Sequence, residues 1–121
     1  MNRVTVCVLI SVLSLHGTTI NIPSDYATIQ EGINTAAEGD TVLIQPGTYT
    51  ENIIWSATNG IKVIGSGQSN CTIDGSNSGR VITFDGLFDS STLLKDLTLA
   101  NGSSSTDGGG VHISFSSPTL I

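Results

Sequence analysis

The sequence predicts an all-β fold in which short parallel strands stack as a solenoid behind a short N-terminal capping α-helix. One amphipathic helical segment, at residues 28–38, lies ahead of a series of short apolar runs. These runs alternate with turn residues, which is typical of all-β proteins. Three of them begin 20 residues apart, at positions 41, 61 and 81, and form a weak internal repeat.

The capping helix is predicted from its start signal and its apolar face. Thr28 and Glu31 have the spacing of a capping box, and Ile29 and Ile33 recur on one helical face. Gly39 favours a left-handed end to the helix. A helix of roughly nine residues is marginal alone in water, so we expect it to pack on the open end of the strand stack. The same spacing also fits an ordinary surface helix.

The breaks between the apolar runs indicate coils rather than hairpins. A tight hairpin places strands directly on both sides of a two-residue turn. Asp74-Gly75 is followed instead by more polar residues, and so is Asn101-Gly102. Three strands between Ile61 and Gly86 are predicted to form one coil, and Leu87–Ser91 is predicted to be an outward loop. The predicted strands are 41–45, 52–55, 61–64, 71–73, 81–84, 93–99 and 111–115, with 119 onward continuing the next coil.

The chain also resembles the cap and first turns of right-handed parallel β-helix proteins, the pectin-lyase-like superfamily. The resemblance lies in D-Y-x-T-I-Q-x-x-I-x-x-A at 25–36, G-D-T-V at 39–42 and P-G-T-Y at 46–49. A second match, G-G-G-V at 108–111 with S-S-P-T-L at 116–120, resembles repeat coils of secreted β-helix proteins. The resemblance implies the fold and no single activity, because the superfamily includes lyases, hydrolases, adhesins and coils without known chemistry.

Residues 1–19 are predicted to be a signal peptide, which leaves 20–121 as the N-terminal part of a parallel β-helix domain. A positive start at Arg3 precedes an apolar run, Val4–Leu15, that is too short to span a bilayer. Cleavage is expected near Gly17–Thr19, although no A-x-A site is present; a buried first strand is the other interpretation. We therefore expect a secreted or cell-surface protein with no membrane insertion after cleavage.

The last residues, Pro118–Ile121, resemble the start of a strand with no capping element after it. A stack that stopped there would present apolar side chains and unpaired backbone to water. We therefore expect a truncated reading frame or a domain cut from a longer chain, whose further coils cover this end. The isolated chain of 121 residues is expected to be poorly soluble or to self-associate.

Charge and cysteine content exclude several classes of partner and site. The net charge is −6, from four basic and ten acidic residues, which argues against nucleic acid and anionic membranes. A polyanionic glycan is an awkward partner for such a chain unless a cation bridges the two. Cys7 lies in the signal segment, so Cys71 has no partner for a disulfide and no metal-ligand spacing.

Four carboxylates recur at intervals of eleven residues, at Asp74, Asp85, Asp96 and Asp107. Carboxylates on facing coils can act as an acid–base pair in glycoside hydrolysis, or hold Ca²⁺. Three of them lie in or beside turns, where Asp bonds its own backbone, so the sequence favours turn roles. Ca²⁺ belongs only to the alternative in which the chain is part of an enzyme, and otherwise no cofactor is predicted.

No catalytic residue and no metal ligand is predicted in this chain. His112 is a conceivable general base, but no nucleophile motif surrounds it and strand alternation points it outward. Gly108–Gly110 lacks the strand-to-helix context of a phosphate loop and is predicted to be a coil corner. Arg80 and Lys95 lack the context of a lyase base and are predicted to lie on solvated faces.

Two aromatic residues, Trp55 and Tyr49, are the candidates for carbohydrate binding. Aromatic rings on an exposed sheet face present an apolar body and a polar tip to a sugar. Tyr49 belongs to the P-G-T-Y corner, where packing also explains it, so Trp55 is the better candidate.

These observations predict a non-catalytic, secreted or cell-surface β-helix module with a structural, adhesive or polysaccharide-contacting role. The alternative is the N-terminal fragment of a pectate-lyase-like or glycoside-hydrolase-like enzyme whose catalytic coils lie beyond Ile121. The expected partners are extracellular polysaccharide and further coils of the same chain.

Overall fold

The computed structural model describes residues 17–55, 58–104, 111–114 and 118–121. Within these residues the chain forms one short helix and a series of short strands. The elements are β1 (Thr19–Ile22), α1 (Ile29–Thr35), β2 (Thr41–Ile44), β3 (Gly47–Thr50), β4 (Ile53–Trp55), β5 (Lys62–Ile64), β6 (Cys71–Asp74), β7 (Ile82–Asp85), β8 (Leu93–Lys95), β9 (Thr98–Ala100), β10 (Val111–Ser114) and β11 (Thr119–Leu120).

The described strands form three sheets that wind as a β-solenoid of about three turns. The first sheet has the order β1-β2-β5-β8-β11, the second β3-β6-β9 and the third β4-β7-β10. All of the strand pairs in these sheets are parallel. Parallel neighbours cannot be joined by a tight hairpin, so each strand pairs with one from the next turn of the chain. The predicted parallel solenoid is therefore confirmed.

The spacing of the internal repeat is only partly correct. Thr41 pairs with Lys62 in the first sheet, so the first two repeat segments do lie one turn apart. The segment at 81–84 instead contributes β7 to the third sheet, where Ile82 pairs with Ile53. The predicted third repeat is wrong because turn length varies with the corner loops. Lys62 pairs with Leu93, so this turn takes 31 residues where the previous one took 21.

Alternate residues of each strand point into the solenoid and fill its interior. In the first sheet, Val42, Val63 and Leu94 align one above another, and all three are buried. Each such side chain removed from water stabilises the fold by about 1.5–3 kcal/mol. The loop predicted to point outward does so at Leu87, which is 81% exposed. The next residue, Phe88, is buried and corrects that prediction, because its ring completes the core.

The helix α1 closes the front of the solenoid, as the sequence predicts. The Thr28 side chain accepts a hydrogen bond from the Glu31 backbone N–H at 3.1 Å, which is the expected cap. Ile29 and Ile33 are buried, and α1 contacts β1, β2 and β4, so an ordinary surface helix is excluded. The helix is shorter than predicted because Ala36 is already extended, with ψ 145°.

Two side chains connect α1 to the free edge of the third sheet. The Glu51 carboxylate accepts the backbone N–H groups of Ile29 and Gln30, at 2.8 and 3.0 Å. The Gln30 side-chain amide accepts from Ile54 N–H at 2.8 Å and donates to Ile54 C=O at 2.9 Å. The Gln30 amide therefore occupies the position of a neighbouring strand on β4, whose edge is otherwise open to pairing.

Candidate functional site

Trp55, the better carbohydrate candidate from the sequence, is not on the surface. Its side chain is 0% exposed, and its ring stacks on Phe84 at 4.9 Å and meets Phe88 edge-on at 6.3 Å. Alternation in β4 places Ile54 outward, at 54% exposed, and Trp55 inward. The prediction that Trp55 presents its ring to a sugar is therefore wrong. Its Nε1–H, the polar end of the ring, has no hydrogen-bond partner among the described residues.

Tyr49 is half-buried in β3 and packs against the core. Its hydroxyl donates a hydrogen bond to the Gln45 carbonyl oxygen at 2.8 Å. Burial, followed by the nearby charges of Cys71 and Glu51, raises the pKa of Tyr49 above its ordinary value. The packing role is observed, and sugar contact by Tyr49 stays a prediction.

The recurring aspartates do not form a pair. Asp74 ends β6, Asp85 ends β7 and Asp96 follows β8, so the three lie on three different sheets. The Asp74 carboxylate accepts the Ser76 N–H at 2.8 Å, which is the predicted turn role. Asp107, the Gly108–Gly110 triplet and the His112 side chain lie outside the described residues. Within the described part of the chain, no group of three or more His, Cys, Asp or Glu residues is arranged to hold a metal ion.

A cleft of about 350 Å³ lies beside the first sheet, and we call it the lateral cleft. Its floor contains Lys62 of β5 and Leu93 of β8, which pair directly with each other. One wall is the turn after α1 and the other is the loop that precedes β8. The residues that line it are Glu38, Gly39, Gly60, Lys62, Ser90, Ser91 and Leu93.

Hydrogen bonds hold the walls of the lateral cleft in place. Gly39 N–H donates to Gly60 C=O at 3.0 Å, and Gly60 N–H donates to the buried Thr92 hydroxyl oxygen at 2.8 Å. The Thr92 hydroxyl donates to Asn59 Oδ1 at 2.7 Å, and the Asp89 backbone N–H donates to the same oxygen at 3.1 Å. The loop at one wall is thus attached through Asn59 to the turn below it, so the cleft is preformed.

The loop wall is also held from within by Asp89. Its Oδ1 accepts the Ser91 backbone N–H at 2.9 Å and the Ser91 hydroxyl. The Ser91 hydroxyl is the main cause of a lowered pKa at Asp89, followed by the Ser91 backbone and Asn59. The Asp89 carboxylate therefore stays ionised at neutral pH. The Ser91 hydroxyl, already used as a donor, presents its oxygen lone pairs as acceptors.

Gly60 keeps the lateral cleft open. Its φ of +83° lies in the left-handed region that side chains other than glycine rarely adopt. A Cβ at this position would lie 2.9 Å from Glu38 Cγ and 3.6 Å from Ser91 Oγ, which are on opposite walls. Any larger residue would therefore narrow the cleft at its centre.

The lining of the cleft combines the groups that recognise a polyhydroxylated ligand. The Glu38 carboxylate is an acceptor, the Lys62 ammonium carries three donor hydrogens, and the serine hydroxyls can do both. Leu93 adds an apolar surface against which the C–H face of a sugar ring can pack. The cleft has a volume near the lower end of the range for small-molecule sites.

The sequence analysis missed this site. Its residues come from four separate stretches of the chain, and only the parallel register of β5 and β8 brings them together. The signal that was present is the pair of short polar turns, Glu38-Gly39 and Asn59-Gly60, one turn of the solenoid apart.

No helix in the part of the chain that the structure describes is long and apolar enough to span a bilayer. Comparison with protein-family models, curated proteins and solved structures found no match to this chain. Its function is therefore inferred from its own residues.

Proposed function

We propose that this chain is a non-catalytic, secreted or cell-surface β-helix module that contacts extracellular polysaccharide through the lateral cleft. The observation that carries the proposal is the preformed cleft itself, with donors, acceptors and an apolar floor in one place. The proposal includes a right-handed solenoid of the pectin-lyase-like type. The capping-box helix, the G-D-T-V and P-G-T-Y segments and the all-parallel sheets support that part.

The charges favour a neutral polysaccharide over an acidic one. The lateral cleft contains one carboxylate, Glu38, and one ammonium group, Lys62, whose charges offset each other locally. The Asp89 carboxylate lies immediately behind the loop wall and stays ionised. The chain as a whole carries −6, so a polyuronate or sulfated polymer is repelled as it approaches. A neutral glycan has no such barrier.

Retention on immobilised polysaccharides tests the proposal. The full chain is applied to neutral polymers, namely β-glucan, mannan and xylan, and to the acidic polymers pectate and alginate. Glu38→Gln keeps the size of the side chain and removes its charge, while Lys62→Met keeps the apolar stem and removes the donors. Loss of a hydrogen bond to a charged group is worth about 1.5–3 kcal/mol, so each variant should bind roughly tenfold more weakly or worse. Lys95→Met is the matched control, because Lys95 lies in β8 outside the cleft.

Each outcome separates one part of the proposal from another. Retention on neutral polymers that both cleft variants lose, and the control keeps, supports it. Retention that both variants keep removes the cleft from the proposal, and no retention on any polymer removes the glycan role. Release of unsaturated uronate from pectate, followed by absorbance with and without Ca²⁺, would support the enzyme alternative instead.

A further inference from the structure

Asp40 binds the start of the described chain. Its carboxylate is only 8% exposed. Oδ1 accepts the Thr18 backbone N–H at 2.8 Å and the Thr18 hydroxyl at 3.2 Å, and Oδ2 accepts the Ala37 N–H at 2.8 Å. The Ala37 hydrogen bond is the largest cause of a lowered pKa at Asp40, against the effect of burial. The carboxylate is therefore ionised at neutral pH, and the causes of its pKa shift include no cation.

A nearly buried anion without a cation is an unusual arrangement, because desolvation of a charge is costly unless the charge is paired. The donors here are backbone N–H groups and a hydroxyl, which carry no net charge. The position of Thr18 N, at 2.8 Å, is where a cationic partner would make a charge-assisted hydrogen bond.

The chain is fixed to the fold from Thr18 onward. Thr41 N–H donates to Thr18 C=O at 2.8 Å, and β1 begins at the next residue, Thr19. Gly17 has φ +77°, and a Cβ on it would collide with the Gly39 carbonyl oxygen, so only glycine fits there. Signal peptidases require a small residue before the cut, which Gly17 provides. A cut after Thr19 would remove the Thr18 donors and the first residue of β1.

We propose that export cleaves the chain between Gly17 and Thr18, and that the new α-ammonium group of Thr18 pairs with the Asp40 carboxylate. The inference rests on the secretion part of the proposed function. The cleavage is a hydrolysis by a signal peptidase of the exporting cell. Water adds across the peptide bond, the carboxylate leaves on Gly17, and the amine stays on Thr18 and takes up a proton. Processing thereby supplies the cation that Asp40 lacks and links maturation to the stability of β1.

The pH dependence of the pair has a definite sign. An α-amine has an ordinary pKa of about 7.7–8.0, and an adjacent carboxylate raises that pKa, typically by about one unit or more. The contribution to stability is fully present below the ordinary value and is lost as the pH rises through the raised one. The other ionisable groups around this position are Glu38, on the same turn as Asp40, and Lys62, whose backbone N–H donates to Asp40 C=O. β1 carries no ionisable side chain.

The ion pair is tested on the mature chain with a defined first residue. Protein beginning at Thr18 is released from a cleavable fusion, and half of it is acetylated at the α-amine. Acetylation keeps one N–H donor and removes the charge, so it reproduces the peptide bond of the precursor. At pH 6 we expect the free-amine form to melt several degrees higher, and we expect the difference to vanish above about pH 10. Asp40→Asn should abolish the difference, while Glu38→Gln should leave it intact.

The cleavage position is tested by the mass of the protein secreted from the full chain. A mass that begins at Thr18 supports the inference. A mass that begins elsewhere overturns it and leaves secretion standing, whereas failure to export the chain overturns both. Equal melting temperatures for the two forms at pH 6, or a difference that survives in Asp40→Asn, would also overturn the ion pair.

Discussion

The contact between Gln30 and the β4 edge can be tested by a substitution whose cost follows from the structure. Gln30→Ala removes two hydrogen bonds to the backbone of Ile54, at 2.8 and 2.9 Å. Each such bond contributes about 0.5–1.5 kcal/mol net, and the loss of helix propensity at an Ala is negligible. Because Ile54 is 54% exposed, water can reach the freed groups, so the full cost of a buried unpaired group does not apply. We expect the free energy of unfolding to fall by about 1–3 kcal/mol.

Gln30→Glu distinguishes this pairing from a general effect of the helix. The new carboxylate can accept from Ile54 N–H, but it cannot donate to Ile54 C=O and repels that oxygen. At neutral pH we expect Gln30→Glu to be at least as destabilising as Gln30→Ala. Below the ordinary glutamate pKa of about 4.3 the protonated side chain can donate again, so the difference from wild type should shrink.

Urea denaturation followed by circular dichroism at pH 7 and at pH 4 measures these differences. Asn34→Ala is the matched control, because Asn34 accepts from Gln30 at 3.1 Å on the exposed face of α1 and lies in the same helix. We expect it to cost less than about 0.5 kcal/mol. If Gln30→Ala is no more destabilising than this control, the Gln30 amide does not complete the sheet edge and our reasoning is wrong.

Two further predictions concern the core and the front of the fold. Trp55→Phe should change the free energy of unfolding by no more than about 1 kcal/mol, because losing an unpartnered buried N–H offsets the lost packing. Trp55→Ala should cost about 3–5 kcal/mol, and a similar cost for Trp55→Phe in urea denaturation would contradict the first result. Wild-type stability should fall as the pH drops below the ordinary aspartate pKa of 3.8, through the lowered pKa of Asp40. Asp40→Asn should be less stable at pH 7 and should lose less stability on acidification, and parallel pH profiles for the two proteins would contradict this assignment.

The elements that the sequence predicted well are those whose signals are local. The Thr28 cap and the Ile29 and Ile33 face specify α1 through hydrogen bonds and contacts within a few residues. Apolar runs between turn residues specify where strands begin and end, because the turns depend on adjacent backbone. The choice of coils over hairpins also followed from the polar residues after Asp74-Gly75, which extend the corner.

The errors arose where two placements satisfy the same local pattern. Ile54 and Trp55 are both apolar neighbours in β4, so alternation alone does not say which one faces inward. The segment at 81–84 has the spacing of the first sheet but belongs to the third, because a loop of variable length shifts it. The lateral cleft had no local pattern at all, since its walls come from residues about fifty positions apart.

The sequence by itself determined that the front of the chain is a helix, that short strands follow it and that few charges interrupt them. Those properties depend on interactions between near neighbours, which composition and spacing record directly. Only the tertiary structure decided that Gln30 completes the edge of β4, that Asp40 binds Thr18 and that Lys62 and Leu93 share one cleft. These contacts depend on how many residues each turn of the solenoid takes, because parallel register aligns positions that are far apart in the chain.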